Sequence, residues 1–166
     1  MTDVSTLYDE DFVAWSKQQA DALRSAARTG SNHLLDWENL AEEIESLGRS
    51  ERRELRSRIS TIIEHLVKLG HSPASDPRND WQDTIRRERV EIERLLEDSP
   101  SLARQVSNLI EKETPHGVEA AIAALGSHGE LPSSLQPALK ATAYFDFFSY
   151  TPEQILDDWF PPEPKS

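Results

Sequence analysis

No cysteine occurs in the 166 residues, which removes disulfides, thiolate nucleophiles and cysteine-ligated zinc or iron–sulfur centres from consideration. No apolar run approaches the roughly 20 residues that a helix needs to cross a bilayer. The opening stretch MTDVSTLYDEDF is acidic and lacks the basic, apolar and small-residue order of a signal peptide, so the expected compartment is the cytoplasm. A phosphate-cradling glycine loop, a Gly-x-Ser-x-Gly elbow and a dinucleotide fingerprint are also missing, which counts against the common enzyme classes and against a bound cofactor. No β-branched alternation is bounded by hairpin turns, so no sheet is expected.

Acid is plentiful instead. The net charge is −12, with −7 over residues 1–48, +2 over residues 49–94 and −7 over residues 95–166. Overall acidity argues against general binding to nucleic acid or to an anionic membrane, because phosphate attraction scales with the cations presented. The arginine-rich centre between two acidic ends reads as charge matching between neighbouring helices.

Helical periodicity dominates. Phe12, Trp15, Ala22, Leu23 and Ala26 fall near one face of a first helix that Gly30 can stop. Asp36 can cap a second, DWENLAEEIESLG, with Leu40, Ile44 and Leu47 on one stripe and Gly48 closing it in a left-handed conformation. Ser50 then caps a third, whose Leu55, Ile59, Ile62, Leu66 and Leu69 make a heptad seam widened by Ile63 and Val67 and ended by Gly70. After the loop HSPASDPRN, Asp80 caps a fourth helix with Trp81, Ile85, Ile92, Leu95 and Leu96 inward, and Glu88 falls on that seam. Ser99 and Pro100 restart the chain as cap and first helical residue, ahead of Leu102, Val106, Leu109 and Ile110. Thr114-Pro115 either starts a further helix or kinks a long one. A short helix is expected near residues 135–143, and Thr151, Pro152 and Gln154 form a capping box. The expectation is all-α: a single-domain helical bundle over residues 1–160, with four main helices plus short C-terminal helices, and a disordered tail over 161–166.

The blocks YDEDFVAWSKQQADALR, ENLAEEIESLGRSERRELRSR, HLVKL, WQDTIRRERVEIERLLEDSPSL and YTPEQILDDWF stand in this order in the chain. In that arrangement the sequence resembles the bacterial family catalogued as Domain of Unknown Function 29, from about Tyr8 to about Phe160. Between Glu113 and Tyr150 it departs from the family pattern in length and content. The resemblance implies an α-helical fold and no activity, so it assigns no functional residue.

Four constellations can carry chemistry. Arg58 and His65 have the spacing R-x6-H, which resembles the R-x4–6-H motif of the higher eukaryotes and prokaryotes nucleotide-binding ribonucleases. A histidine of near-neutral pKa can move a 2′-hydroxyl proton while an arginine holds the phosphate, and two helical turns put both on one face. The bland alternative places His65 at the edge of the seam and Arg58 in an ion pair. Second, Glu38, Glu42, Glu43, Glu45 and Glu64, with His65 or His33, are the residues a metal site would use. They lack the Glu-x-x-His rhythm of carboxylate-bridged metal bundles, which survives only as Glu113 to His116 with Pro115 inside it. Third, Arg49, Arg52, Arg53, Arg56 and Arg58 are interleaved with Glu51 and Glu54, as expected of surface pairing. Fourth, the C-terminal aromatics either fold over the bundle as a lid or leave Tyr144, Phe147, Phe148, Tyr150 and Trp159 as a partner surface.

The sequence therefore reads as a cofactor-free, metal-free helical protein-interaction module with an unidentified protein partner, or as a homodimer. The alternative is a metal-independent ribonuclease using Arg58 and His65.

Overall fold

Local signals start and stop the helices, and close packing decides which glycines do so. The computed structural model describes residues 4–30, 35–129, 131–140 and 147–164. Along them run α1 (Val4–Glu10), α2 (Phe12–Thr29), α3 (Trp37–His71), α4 (Arg78–Asp98), a 3₁₀ turn over Pro100–Gln105, α5 (Val106–Ser127), a second 3₁₀ turn over Ser133–Leu135, α6 (Gln136–Lys140) and α7 (Pro152–Leu156). The protein is all-α, with no strand among the described residues, and four of these helices are long: α2, α3, α4 and α5. Among the described residues no helix is long and apolar enough to cross a membrane.

Asp11 caps α2 by accepting from Ala14 N at 2.9 Å, and Gly30 ends it at φ 66°. Asp36 caps α3, its Oδ1 accepting from Asn39 N at 3.2 Å. The capping box of α7 is complete: Thr151 N donates to Gln154 Oε1 at 3.0 Å and Gln154 N to Thr151 Oγ1 at 3.2 Å. Ser99 stands at the cap position ahead of the turn that Pro100 opens, but not through its side chain. Its carbonyl accepts from Leu102 N at 3.0 Å, while its Oγ is buried without a hydrogen-bond partner among the described residues.

The stop expected at Gly48 is absent, and Trp37–His71 is one 35-residue helix. Among the described glycines, positive φ belongs to Gly30 and Gly129, not to Gly48. A mid-helix glycine costs only about 1 kcal/mol, and no proline follows to break the helix. What Gly48 supplies is space. A Cβ there would sit 2.4 Å from Ser16 Oγ and 3.7 Å from Val13 Cγ1.

The chain forms two compact units. The first takes Met1–Leu55 and Glu93–Arg104. Here α2 meets the front of α3 through small residues, with Ser16, Ala20 and Ala41 buried beside Gly48. Arg24 of α2 reaches Glu45 Oε2 at 2.7 Å, and Arg49 pairs with Glu42 and Glu45 on its own helix. Asp11 also accepts from Ser101 N at 2.7 Å and Ser101 Oγ at 2.9 Å, tying the start of α2 to the turn after α4.

The second unit takes Arg56–Ile92 and Gln105–Ser166. Its core holds the heptad seam: Ile59, Ile62, Ile63, Leu66, Val67 and Leu69 are at most 1% exposed. Gly117 of α5 lets that helix approach α3, since a Cβ there would lie 2.7 Å from Ile63 Cγ2 and 2.9 Å from the Ser60 carbonyl oxygen. Pro115 does not break α5, which continues through it to Ser127. Thr114 Oγ1 donates to the Ile110 carbonyl at 2.7 Å, a back-bond common where a helix bends. Pro161 packs on Gly70, and Glu163 Oε1 lies 3.5 Å from Arg78 Nε.

Candidate functional site

The stripe of Leu40, Ile44 and Leu47 faces outward. Ala41 is fully buried, whereas Leu40 and Leu47 are 40% and 46% exposed and Ile44 is half-buried. Small residues on the inner face explain this. The close approach of α2 is met at Gly48, and Ala41, seven residues earlier on the same side of the helix, is buried, which turns the larger residues out.

One turn beyond Leu47 on the same face stands Glu51, and it lines a cavity of about 320 Å³ with Tyr8, Asp9, Phe12 and Asp98. Two of the lining residues are aromatic, Tyr8 and Phe12, and the Trp15 ring packs against both. Tyr8 meets Trp15 edge-on at 4.8 Å and Phe12 at 5.8 Å, and Phe12 stacks on Trp15 at 5.7 Å. Burial first, then the like charges of Glu54 and Asp98, push the Glu51 carboxyl above its ordinary pKa. The lining thus offers carboxylates and aromatic faces, the combination that receives an organic cation.

Arg58 and His65 lie on α3 in the second unit, outside this cavity lining. Arg58 Nη1 donates to Glu88 Oε2 at 2.8 Å, and Nη2 is 4.0 Å from Glu91 Oε2. Glu88, the polar residue on the fourth-helix seam, is therefore a partner for α3. His65 Nδ1 is 2.8 Å from the Thr61 carbonyl oxygen. A carbonyl only accepts, so Nδ1–H donates and Nε2 carries the lone pair. Burial is the largest influence on His65 and lowers its pKa, and the Lys68 charge adds to the lowering. Lys68 itself pairs with Glu64.

Several of the carboxylates considered for a metal hold cations of the chain instead, Glu64 pairing with Lys68. Glu42 and Glu45 hold arginines, and Glu113 accepts from Arg56 Nε at 2.6 Å. Among the described residues no group of three or more His, Asp or Glu side chains is placed to hold a metal ion. His33 lies outside the described residues.

Of the C-terminal aromatics, Phe147 is 50% exposed and Phe148 is 6% exposed. Phe148 meets the His71 ring edge-on at 5.5 Å. Tyr150 and Trp159 are half-buried, and burial pushes the Tyr150 phenol far up. Tyr144 lies outside the described residues.

Sequence reasoning missed Arg89. This buried side chain donates from Nε to Ile155 O at 2.9 Å and from Nη2 to Gln154 O at 2.9 Å and Trp159 O at 2.7 Å. The Phe160 ring lies 5.1 Å from the Arg89 guanidinium carbon and 5.1 Å from that of Arg86. A five-residue helix followed by DDWF has carbonyls that need donors. That need was the available signal, though nothing local names the donor.

A model of the family described as Domain of unknown function DUF29 matches residues 7–160. The chain is also similar to an alpha-helical protein of unknown function from Rhodospirillum rubrum, known from a crystal structure. The two are 28% identical with a TM-score of 0.73, over 92% of this chain and 90% of that one. No curated protein matches the chain. The chain belongs to the family described as Domain of unknown function DUF29.

Proposed function

We propose that this protein is a protein-interaction module whose docking face is the outward stripe of α3. The observation that carries the reading is the exposure of Leu40 and Leu47, 40% and 46%, at the +4, +3 spacing with Ile44 that a helix uses to meet another helix. Leucine is seldom placed outward in such register for its own helix's sake. Aliphatic side chains that recur on one face gain stability only when something covers them.

The geometry does not favour the ribonuclease reading of Arg58 and His65 over this one. A phosphate at Arg58 would have to displace Glu88, and His65 spends one ring nitrogen on Thr61. The acidic chain adds a repulsive field around any such site.

Co-purification from the native host tests the docking reading. A folded Leu40→Asp/Leu47→Asp protein is expected to lose the protein that wild type retains. Retention of the same protein by that variant overturns the reading.

A further inference from the structure

The outward stripe does not end at Leu47. Glu51 follows four residues later on the same face and opens into the cavity of Tyr8, Asp9, Phe12 and Asp98. An apolar seam and an acidic, aromatic recess are therefore consecutive along one helix, within the first unit. Resting on the docking reading above, we propose that the occupant of this face is an amphipathic helix of a basic protein partner. Its apolar side chains cover Leu40, Ile44 and Leu47, and an arginine or lysine one turn further along enters the cavity.

Charge selects this occupant. On the arc of α3 that carries the stripe, helical geometry places Glu43 and Glu51 next to the leucines, while Arg49, Arg52 and Arg53 fall on other sides of the helix. Arg49 is already committed to Glu42 and Glu45. A second copy of the chain would bring the same carboxylates against these, and residues 1–48 carry −7. Nucleic acid and anionic lipid meet the same repulsion. A basic helix meets none of it.

The cavity suits a single cationic side chain. It is an open recess of about 320 Å³, with Asp9 and Asp98 exposed and Tyr8 50% exposed, so a side chain can enter it from solvent. Tyr8 and Phe12 offer ring faces and edges, and Asp9, Glu51 and Asp98 offer charge. An alkylammonium or guanidinium combines both kinds of contact, the stem on the rings and the head at the carboxylates. The charged neighbours that act on Glu51 are Glu54 and Asp98, both acidic, so an incoming cation relieves a repulsion already present.

The test titrates two synthetic helical peptides into the full-length, isotope-labelled protein by NMR. Both carry leucines at the spacing of the α3 stripe. One has arginine one turn beyond each end of that seam, and its twin has glutamine at those places. The arginine peptide is expected to bind about tenfold more tightly, with shifts at Leu40, Leu47, Tyr8 and Phe12. The twin is expected to shift Leu40 and Leu47 alone. In a Glu51→Gln/Asp98→Asn protein of unchanged helical dichroism, the two peptides are expected to bind alike. Equal binding of both peptides to wild type, or a preference that survives in the double variant, overturns the cation seat and leaves the docking reading standing. Failure of both peptides to shift Leu40 and Leu47 overturns both.

Discussion

Arg89 holds the backbone of Trp159. The guanidinium Nη2 donates to the Trp159 carbonyl at 2.7 Å, and the same side chain reaches Gln154 O and Ile155 O. One α4 residue thus closes the open carbonyl end of α7, which is too short to satisfy its own last groups. Burial pulls the Arg89 pKa down, against the charges of Asp158 and Asp157. The cost of burying the cation is offset by these charge-assisted bonds and by the Phe160 face.

Removing that side chain orphans three carbonyls together. Arg89→Met is expected to destabilise the protein by about 3 kcal/mol. Lysine, a point donor without the planar fork, should recover less than half of that. Urea denaturation gives the magnitude, and hydrogen exchange gives the location: protection should be lost first over residues 152–160. A change below about 0.5 kcal/mol would show that the contacts are incidental.

The two helical glycines of α5 separate propensity from packing. At Gly126 an added Cβ meets nothing within 4 Å, so Gly126→Ala should stabilise by about 0.5 kcal/mol. At Gly117 the Cβ would press on Ile63 and on the Ser60 carbonyl. Gly117→Ala should therefore destabilise by about 1–3 kcal/mol despite the better helix former. Opposite signs in thermal melts are the expected outcome, and two changes of the same sign would contradict the packing described for α3 and α5.

The histidines set a pH dependence whose sign follows from burial. His65 and His71 both have pKa values lowered by desolvation, so the unfolded chain binds their protons first. Their contribution is lost as pH falls through the unfolded value of about 6.5, and the loss levels off below the folded pKa. A His65→Gln/His71→Gln protein should show a flatter fall in urea midpoint between about pH 7.5 and about pH 5.5 than wild type. Parallel pH profiles for the two proteins would refute this.

Glu51 gives the opposite case. Its folded pKa is raised, so its carboxylate opposes folding at neutral pH, and this cost fades as pH falls through the folded value. Glu51→Gln should raise the melting temperature slightly at pH 7 and lose that advantage in acid.

The heptad seam from Leu55 to Leu69, the Asp36 cap, the Gly30 stop and the α7 capping box were legible because each is a local pattern with a local cause. Gly48 was not, because the same residue serves a stop or a close approach, and only Ser16 across the interface decides which. Leu40 and Leu47 looked like core for the same reason: periodicity reports a face, and the partner's small residues determine whether that face or its neighbour is covered. Arg89 was invisible because its carbonyls lie 65–70 residues away. The Arg58–His65 spacing sets the two residues two turns apart on α3, but their partners Glu88 and Thr61 cannot be placed from sequence. For that pair, His65→Ala is expected to leave RNA cleavage by the purified protein unchanged from background, and a loss of cleavage would restore the ribonuclease reading.

The most direct measurement of the central claim is site-specific photo-crosslinking in the native host from a benzophenone amino acid at position 47, with position 90 as control. Val90 is equally exposed, at 46%, but belongs to the second unit. The account predicts one discrete adduct from position 47, mapped by mass spectrometry to a basic amphipathic helix of another protein, and none from position 90. No adduct at position 47, an adduct to a second copy of this chain, or the same products from both positions would contradict it.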